Sequence, residues 1–311
     1  MKPLHGDWQS ENQLDKFQLR LWIEKVVRQG AMFCRQGKAH QEIGTKKRFL
    51  EKTMIKPEKD FCFCTLALRS KYRSLAKKLA GDLEKYAPGK LLIVATDDVN
   101  DFNNCKNVSA FKHQQTGILH CYHDKRFEVE KALSRFSVAI QIDADTRIVG
   151  SLPETIEVLP GITAGHQANL VKHVEKYNPE RLKPLKQIAS KLDIPLDKAI
   201  YIGESLVFVS RDGGKEKEFI KQWGMIGRYF ELKGIHGGEG IILGLAAAKA
   251  GLTISRSSSW DRINEVKKHL DASHEKTQKT FWDSLKRKLG YHYNFNRARV
   301  AALKDFEFYY R

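Results

Sequence analysis

The sequence predicts an α/β fold, a mainly parallel sheet flanked by helices, with helical extensions at both ends. Three observations predict it. From residue 60 onward, short apolar runs alternate with segments whose apolar residues recur at helical spacing. Several of the apolar runs end on hydroxyls or carboxylates, as strands do where a sheet edge meets solvent. A glycine-rich turn, His236-Gly237-Gly238-Glu239-Gly240, opens a long apolar helix.

Taken in order, residues 14–35 carry Leu14, Phe17, Leu21, Trp22, Val26 and Phe33 at amphipathic spacing, which predicts a helix in a basic extension over 1–59. Phe61 to Leu68 reads as a buried strand and Tyr72 to Tyr86 as a helix bearing Leu75, Leu79 and Leu83 on one side. Pro88-Gly89 marks the turn into a second buried strand, Leu91 to Ala95, which ends at Thr96-Asp97-Asp98. Phe127 to Phe136 reads as a helix feeding the strand that stops at Asp143. A further strand precedes His166, and 166–198, with Pro179, Pro184 and Pro195, reads as a helical insertion. Ile200 to Ser210 reads as one strand, Glu216 to Tyr229 as a helix, and Ile241 to Ala250 as a helix stopped by Gly251. Residues 60–255 thus form the predicted core domain, and 256–311 a basic, aromatic C-terminal extension. Alternating strands and helices imply parallel pairing, with ligands bound beyond the carboxyl ends of the strands.

Composition narrows the function. At 311 residues and 41% hydrophobic content there is ample core, and no run of about 18 apolar residues suggests a membrane span. The start lacks a secretory leader, and five cysteines include no second pair at zinc spacing, so reduced thiols and a cytoplasmic setting are expected. The net charge is +17. Residues 1–59 carry 13 Lys/Arg against 7 Asp/Glu, and so do 256–311, which points to anionic partners. The helix over 14–35 is expected to pack on the main domain; alternatively, its basic face would suit peripheral contact with an anionic membrane at its inner face. No nucleic-acid motif is present, so nucleic acid is disfavoured.

The central chemistry lies in Ile140-Gln141-Ile142-Asp143-Ala144-Asp145-Thr146. Two carboxylates one residue apart at the end of a buried strand would be costly if unpaired. A hard divalent ion, Mn²⁺ or Mg²⁺, bound by Asp143 and Asp145 accounts for both. A solvated strand-to-turn junction is the bland alternative.

The ordered set of segments resembles glycogenin and its bacterial relatives, the retaining glycosyltransferases of the GT-A fold. Phe63-Cys64-Thr65-Leu66-Ala67 with Tyr72 looks like the strand and loop that hold the uridine ring and ribose. Leu91 to Thr96 looks like the family's second strand, facing the nucleotide, with Asp97 beside it. Ile142 to Thr146 matches the metal motif, including Ala144. Gly237-Gly238-Glu239-Gly240-Ile241-Ile242-Leu243 looks like the family's Gly-Gly-Asp-Gln turn, with Glu239 in the aspartate's place as the candidate catalytic group. Lys125 and Arg126 stand where relatives carry a phosphate- or sugar-binding base.

The resemblance implies a GT-A-like, Rossmann-type mixed sheet and a metal-dependent hexosyl transfer from a UDP-sugar, with retention. The acceptor would be a glycan, a protein or a lipid-linked sugar. Three departures stand out: Gly203-Glu204-Ser205-Leu206 for the family's Asn-Ser-Gly, Gly240 for its glutamine, and no match to its C-terminal His-x-x-Gly-x-x-Lys-Pro-Trp. The third metal ligand is then His292, His236 or none. Arg69 and His166 are further candidates, for nucleotide and acceptor. An inverting enzyme of the same fold, or a degenerate basic protein that binds nucleic acid or membrane, are the alternatives.

Overall fold

Alternation along Phe61–Ala67 sends successive side chains to opposite faces of a strand, and the packing follows it. Cys62 and Cys64 join the apolar cluster on one face, whereas Phe61 and Phe63 join the cluster on the other. A computed structural model describes residues 58–272 and 281–311, all within one compact unit. Of the extension over 1–59, residues 1–57, with the expected helix at 14–35, lie outside the described residues, and Glu58 and Lys59 already belong to the first strand. Four cysteines occur among the described residues, each as a thiol: Cys62, Cys64, Cys105 and Cys121.

A seven-stranded sheet is built from β1 (Glu58–Ala67), β2 (Leu92–Thr96), β3 (Val108–Lys112), β4 (Phe136–Ile142), β6 (Gly161–Ala164), β9 (Leu206–Ser210) and β10 (Ile254–Ser255). Its order is β10-β6-β9-β4-β1-β2-β3. Strands β3, β2, β1 and β4 run parallel, and β9 enters antiparallel between β4 and β6. The sheet is therefore mixed and mainly parallel. With Ala67 paired to Thr96 and Cys64 to Gln141, the carboxyl ends of β1, β2 and β4 meet on one edge.

Helix α1 (Arg69–Tyr86) packs Ala76, Leu79, Ala80 and Leu83 on the Phe61/Phe63 face. α7 (Ser258–Glu265) adds Trp260 and Ile263 to that layer. The opposite layer holds α2 (Lys125–Leu133), α3 (Leu170–Tyr177), α4 (Leu182–Lys191), α5 (Lys215–Leu232) and α6 (Glu239–Ala250). Residues 256–311 supply α7, then α8 (Phe281–Ala302) and the short α9 (Phe306–Tyr310).

The sequence reading needs five adjustments. The single strand over 200–210 is two: β8 (Ile200–Ile202) pairs with β7 (Gln167–Asn169), and β9 joins the main sheet. The break falls at Gly203, whose N–H donates back to His166 O at 2.9 Å. Helix α1 starts at Arg69, three residues early, and α2 stops at Leu133 because Phe136 already belongs to β4. Edge strand β3 has a half-buried, polar-interrupted pattern with no apolar run to reveal it. The short pair β5 (Thr146–Ile148) and β11 (Lys267–His269) forms a separate antiparallel ladder beside the acidic turn.

Candidate metal and nucleotide site

The turn after β4 lifts Asp143 to the sheet edge and folds back into β5, so Asp145 begins a second ladder. Asp145 is 6% exposed. One carboxylate oxygen, Oδ2, accepts the Ala272 N–H at 2.9 Å, and its main-chain oxygen accepts from Leu270 N at 2.9 Å. Pairing of β11 with β5 sets His269 opposite Thr146, and His269 Nδ1 lies 3.6 Å from Asp145 Oδ1. One ligand atom from each of Asp143, Asp145 and His269 falls within a 4.8 Å group, the cluster that fits a metal ion among the described residues. Neither His292 nor His236 joins it. His292 is exposed, and the His236 ring meets Tyr291 edge-on at 5.7 Å.

Two carboxylates and one imidazole form a mixed oxygen–nitrogen donor set. That set suits a divalent ion and shifts the fit from Mg²⁺ towards a transition ion such as Mn²⁺. The local charge is already partly balanced. Lys125, at the start of α2, puts Nζ 2.6 Å from Asp143 Oδ1 and 3.0 Å from Glu239 Oε2. Burial works against the ammonium, but these two carboxylates hold it well above its ordinary range. Glu239, the first residue of α6, is 3% exposed, and burial pushes its carboxyl up to about 8. It stands behind Lys125 and not on the cleft surface. Glu128, one turn along α2, is fully buried with both carboxylate oxygens lacking a protein partner, and burial raises it well above the carboxylate range.

Lys125, Asp143, Ala144, Asp145 and His269 floor a cleft of ≈ 910 Å³. Leu66 and Leu68 close one end, Tyr72 and Arg69 of α1 one side, and the 115–122 loop another. Lys286, Arg287, Gly290, Tyr291 and Asn294 of α8 form the facing wall. That wall is fastened: Asn294 Nδ2 donates to Ile118 O at 3.3 Å, and Arg297 donates to Gln115 O at 2.5 Å. The loop is fastened from below, where Ile118 N–H donates to Glu231 Oε1 at 3.1 Å and Thr116 N–H to Asp124 Oδ2 at 2.7 Å. Burial, and then the charge of Asp145, push the Tyr72 phenol up. His120 and Tyr122 stack with centroids 4.9 Å apart, and burial pulls His120 below its usual range.

Arg69 has a left-handed backbone, φ 71°, directly where β1 turns into α1. An arginine there is strained by clash of its Cβ with the carbonyl. Asp97 compensates: both of its oxygens lie 3.1 Å from the Arg69 N–H, and Arg73 donates to Oδ1 at 2.7 Å.

The predicted residues therefore divide. Leu66, Tyr72, Ala144, Asp143 and Asp145 line the cleft together with Arg69 and Lys125. Thr65 and Ala67 are fully buried in β1, beneath the surface. Asp97 braces Arg69 from outside the lining. Arg126 turns away to His123 O, at 2.6 Å, and packs against Gly224. His166 is exposed on β7's side, its ring 5.6 Å from Tyr201. His269 and the α8 wall were not anticipated. Lys267-Lys268-His269 has no apolar signature, and only the β5–β11 pairing brings it across 124 residues to Asp145.

No family model and no curated protein sequence matches the chain. Among solved structures it is similar to the bifunctional glycosyltransferase WbbM in its apo form, with TM-score 0.45 and 11% identity over 76% of this chain. This chain spans 50% of that protein's length. It is also similar to the galactosyltransferase LgtC in complex with donor and acceptor sugar analogs, with TM-score 0.45 and 11% identity, over 75% of this chain and 95% of that one.

Proposed function

We propose that the chain is a metal-dependent glycosyltransferase that takes a nucleoside diphosphate sugar, UDP-sugar foremost, and transfers the sugar with retention. The observation that carries this reading is the Asp143–Asp145–His269 group on the floor of a cleft whose walls are cationic and aromatic. A diphosphate needs positive charge along its length, and Arg69, Lys125, Lys286 and Arg287 all reach this cleft. A base needs a flat apolar face, which Tyr72, Tyr122 and Tyr291 offer. A bound Mn²⁺ would act as a Lewis acid, offsetting the charge that develops on the diphosphate as the glycosidic bond breaks.

The chain's own residues do the rest. Arg69, Lys286 and Arg287 hold phosphate oxygens from two sides, which fixes the donor's orientation. Lys125 pairs with Asp143 at 2.6 Å and balances its charge at the cleft floor. Glu239 acts through Lys125, anchoring its ammonium from behind. Retention is favoured over inversion because Gly240 leaves no side chain where an inverting relative would carry its base. The space for one is also filled, since a Cβ at Gly240 would meet Ile202 O at 2.2 Å.

The experiment is thermal melting against UDP, GDP, ADP and CMP, each with and without Mn²⁺. The expected result is stabilisation by UDP that requires Mn²⁺, about 2.7 kcal/mol at 100 times the dissociation constant. Asp145→Asn and His269→Ala should each remove the Mn²⁺ dependence while leaving the unliganded melt in place. Proton NMR of the linkage immediately after transfer reads the stereochemistry. A protein whose melt no nucleotide shifts, with or without metal, is not the enzyme described here.

A further inference from the structure

Helix α8 carries apolar residues on two opposite sides. Its inner side is accounted for: Tyr291 and Asn294 line the cleft, and Ala298 and Ala302 are 5% and 0% exposed. Its outer side is not. Leu285, Leu289, Tyr293 and Val300 are 36%, 62%, 68% and 50% exposed, and Leu303, in the 3-10 turn that follows the helix, is 42% exposed. Steps of four, four and seven residues return to the same side of a helix, so the four helical residues form one continuous stripe, with Leu303 just beyond its end. Of the thirteen large hydrophobic residues exposed in the described structure, eight fall within 281–311, so this is a patch and not the ordinary scatter.

Charge says what the patch faces. From Leu285 to Lys304 there are six cations, Lys286, Arg287, Lys288, Arg297, Arg299 and Lys304, and no Asp or Glu. Lys288 and Arg299 flank the stripe along one side by the same helical geometry, whereas Lys286 and Arg287 line the cleft. Long cationic chains flanking an apolar stripe can reach outward while their stems stay on apolar surface. A second copy of the chain would bring this set of cations against an identical set, a like-charge opposition. A nucleic acid would use the cations but leave the leucine and valine side chains in water. No helix among the described residues is long and apolar enough to cross a membrane, so a span is not the use of this surface.

We propose that the outer face of helix 281–302 seats the protein on an anionic lipid surface. The stripe enters the boundary between headgroups and acyl chains, and the flanking cations meet lipid phosphates. Tyr293, apolar in body and polar at its tip, suits that depth. The seat is independent of the reading of the cleft, and it lies on a different segment from residues 14–35, whose membrane contact is the alternative reading of that segment.

The test is sedimentation of the full chain with vesicles of phosphatidylcholine alone or with 30% phosphatidylglycerol, at 0.15 M salt. The expected result is binding to the anionic vesicles at least about tenfold stronger than to the neutral ones. Leu289→Glu/Tyr293→Glu should weaken it by about tenfold or more. Lys288→Ala/Arg299→Ala should weaken it less and reduce its sensitivity to salt. Leu289→Ala/Tyr293→Ala serves as the milder pair, and an unchanged melting temperature verifies that each variant is folded. Wild type that does not sediment with anionic vesicles overturns the proposal. So does equal binding by wild type and all three double variants, which would place membrane contact elsewhere. Light scattering that shows a dimer dissolved by these variants, without vesicle binding, would assign the face to a second copy.

Discussion

Lys125 Nζ lies 2.6 Å from Asp143 Oδ1, so the acidic turn carries a covalently attached counter-ion. The same ammonium reaches Glu239 at 3.0 Å, and the three groups form one buried unit. Removing one partner of a buried pair leaves the other charge uncompensated, which costs more than the pair itself contributes. Lys125→Met should therefore lower stability by roughly 3–5 kcal/mol in metal-free buffer. Mn²⁺ should recover part of that loss, because a second cation can then balance Asp143. Melting curves in chelator and in excess Mn²⁺ measure both effects. A variant equally destabilised in the two buffers would show that Lys125 serves packing alone.

Arg69 separates strain from binding. Its φ of 71° is natural to glycine and costly for any residue with a Cβ. Arg69→Gly should be more stable than Arg69→Ala by roughly 1–2 kcal/mol, since both lose the guanidinium but only glycine relieves the backbone. Both should weaken nucleotide binding equally. Chemical denaturation ranks the two variants, and titration with UDP and Mn²⁺ compares their affinities.

Much of this was legible in the sequence, for identifiable reasons. β1, β2 and β4 contain apolar runs, and Asp97 and Asp143 follow β2 and β4, so strand type and the edge that carries the candidate site followed from local pattern. Helices α1, α5 and α6 showed period and stop signals in one stretch of chain. What escaped depends on pairing between distant segments. His269 has no local signal, and its position follows from a three-residue ladder with β5. Asp97 was placed on the nucleotide because it ends a strand, but its carboxylate is occupied by Arg69 and Arg73. Arg126 and Lys125 are adjacent in sequence, yet the helix turns them about 100° apart, and only Lys125 faces the cleft.

Gly240 is held by crowding. A Cβ there would lie 2.2 Å from Ile202 O and 2.8 Å from Glu204 Oε2. The first contact is backbone and cannot swing aside. Gly240→Ala should cost roughly 1–3 kcal/mol through displacement of α6 from β8. Urea denaturation measures it, and a neutral result would mean that α6 shifts freely.

Glu231 predicts a pH dependence. Burial pushes its carboxyl up to about 7 from an ordinary 4.5, so the folded state holds a proton that the unfolded state releases. The stabilisation is complete below about 4.5 and is lost as pH rises to about 7, after which it is flat. Glu231→Gln keeps an oxygen for the Ile118 N–H and fixes the neutral state. The variant should match wild type near pH 5 and exceed it by up to roughly 3 kcal/mol at pH 8. Stability curves at the two pH values decide it.

The cleft's walls come from 66–72, 115–125, 143–145, 269 and 286–294, separated by most of the described chain. Such a site is the product of the slowest kind of folding event, the closing of long loops after local structure has formed. In a refolding experiment the sheet's far-ultraviolet signal should return well before the capacity to bind a nucleotide. Between those two moments the chain would hold most of its secondary structure with its cationic walls apart, unable to grip any ligand that could hasten the last step.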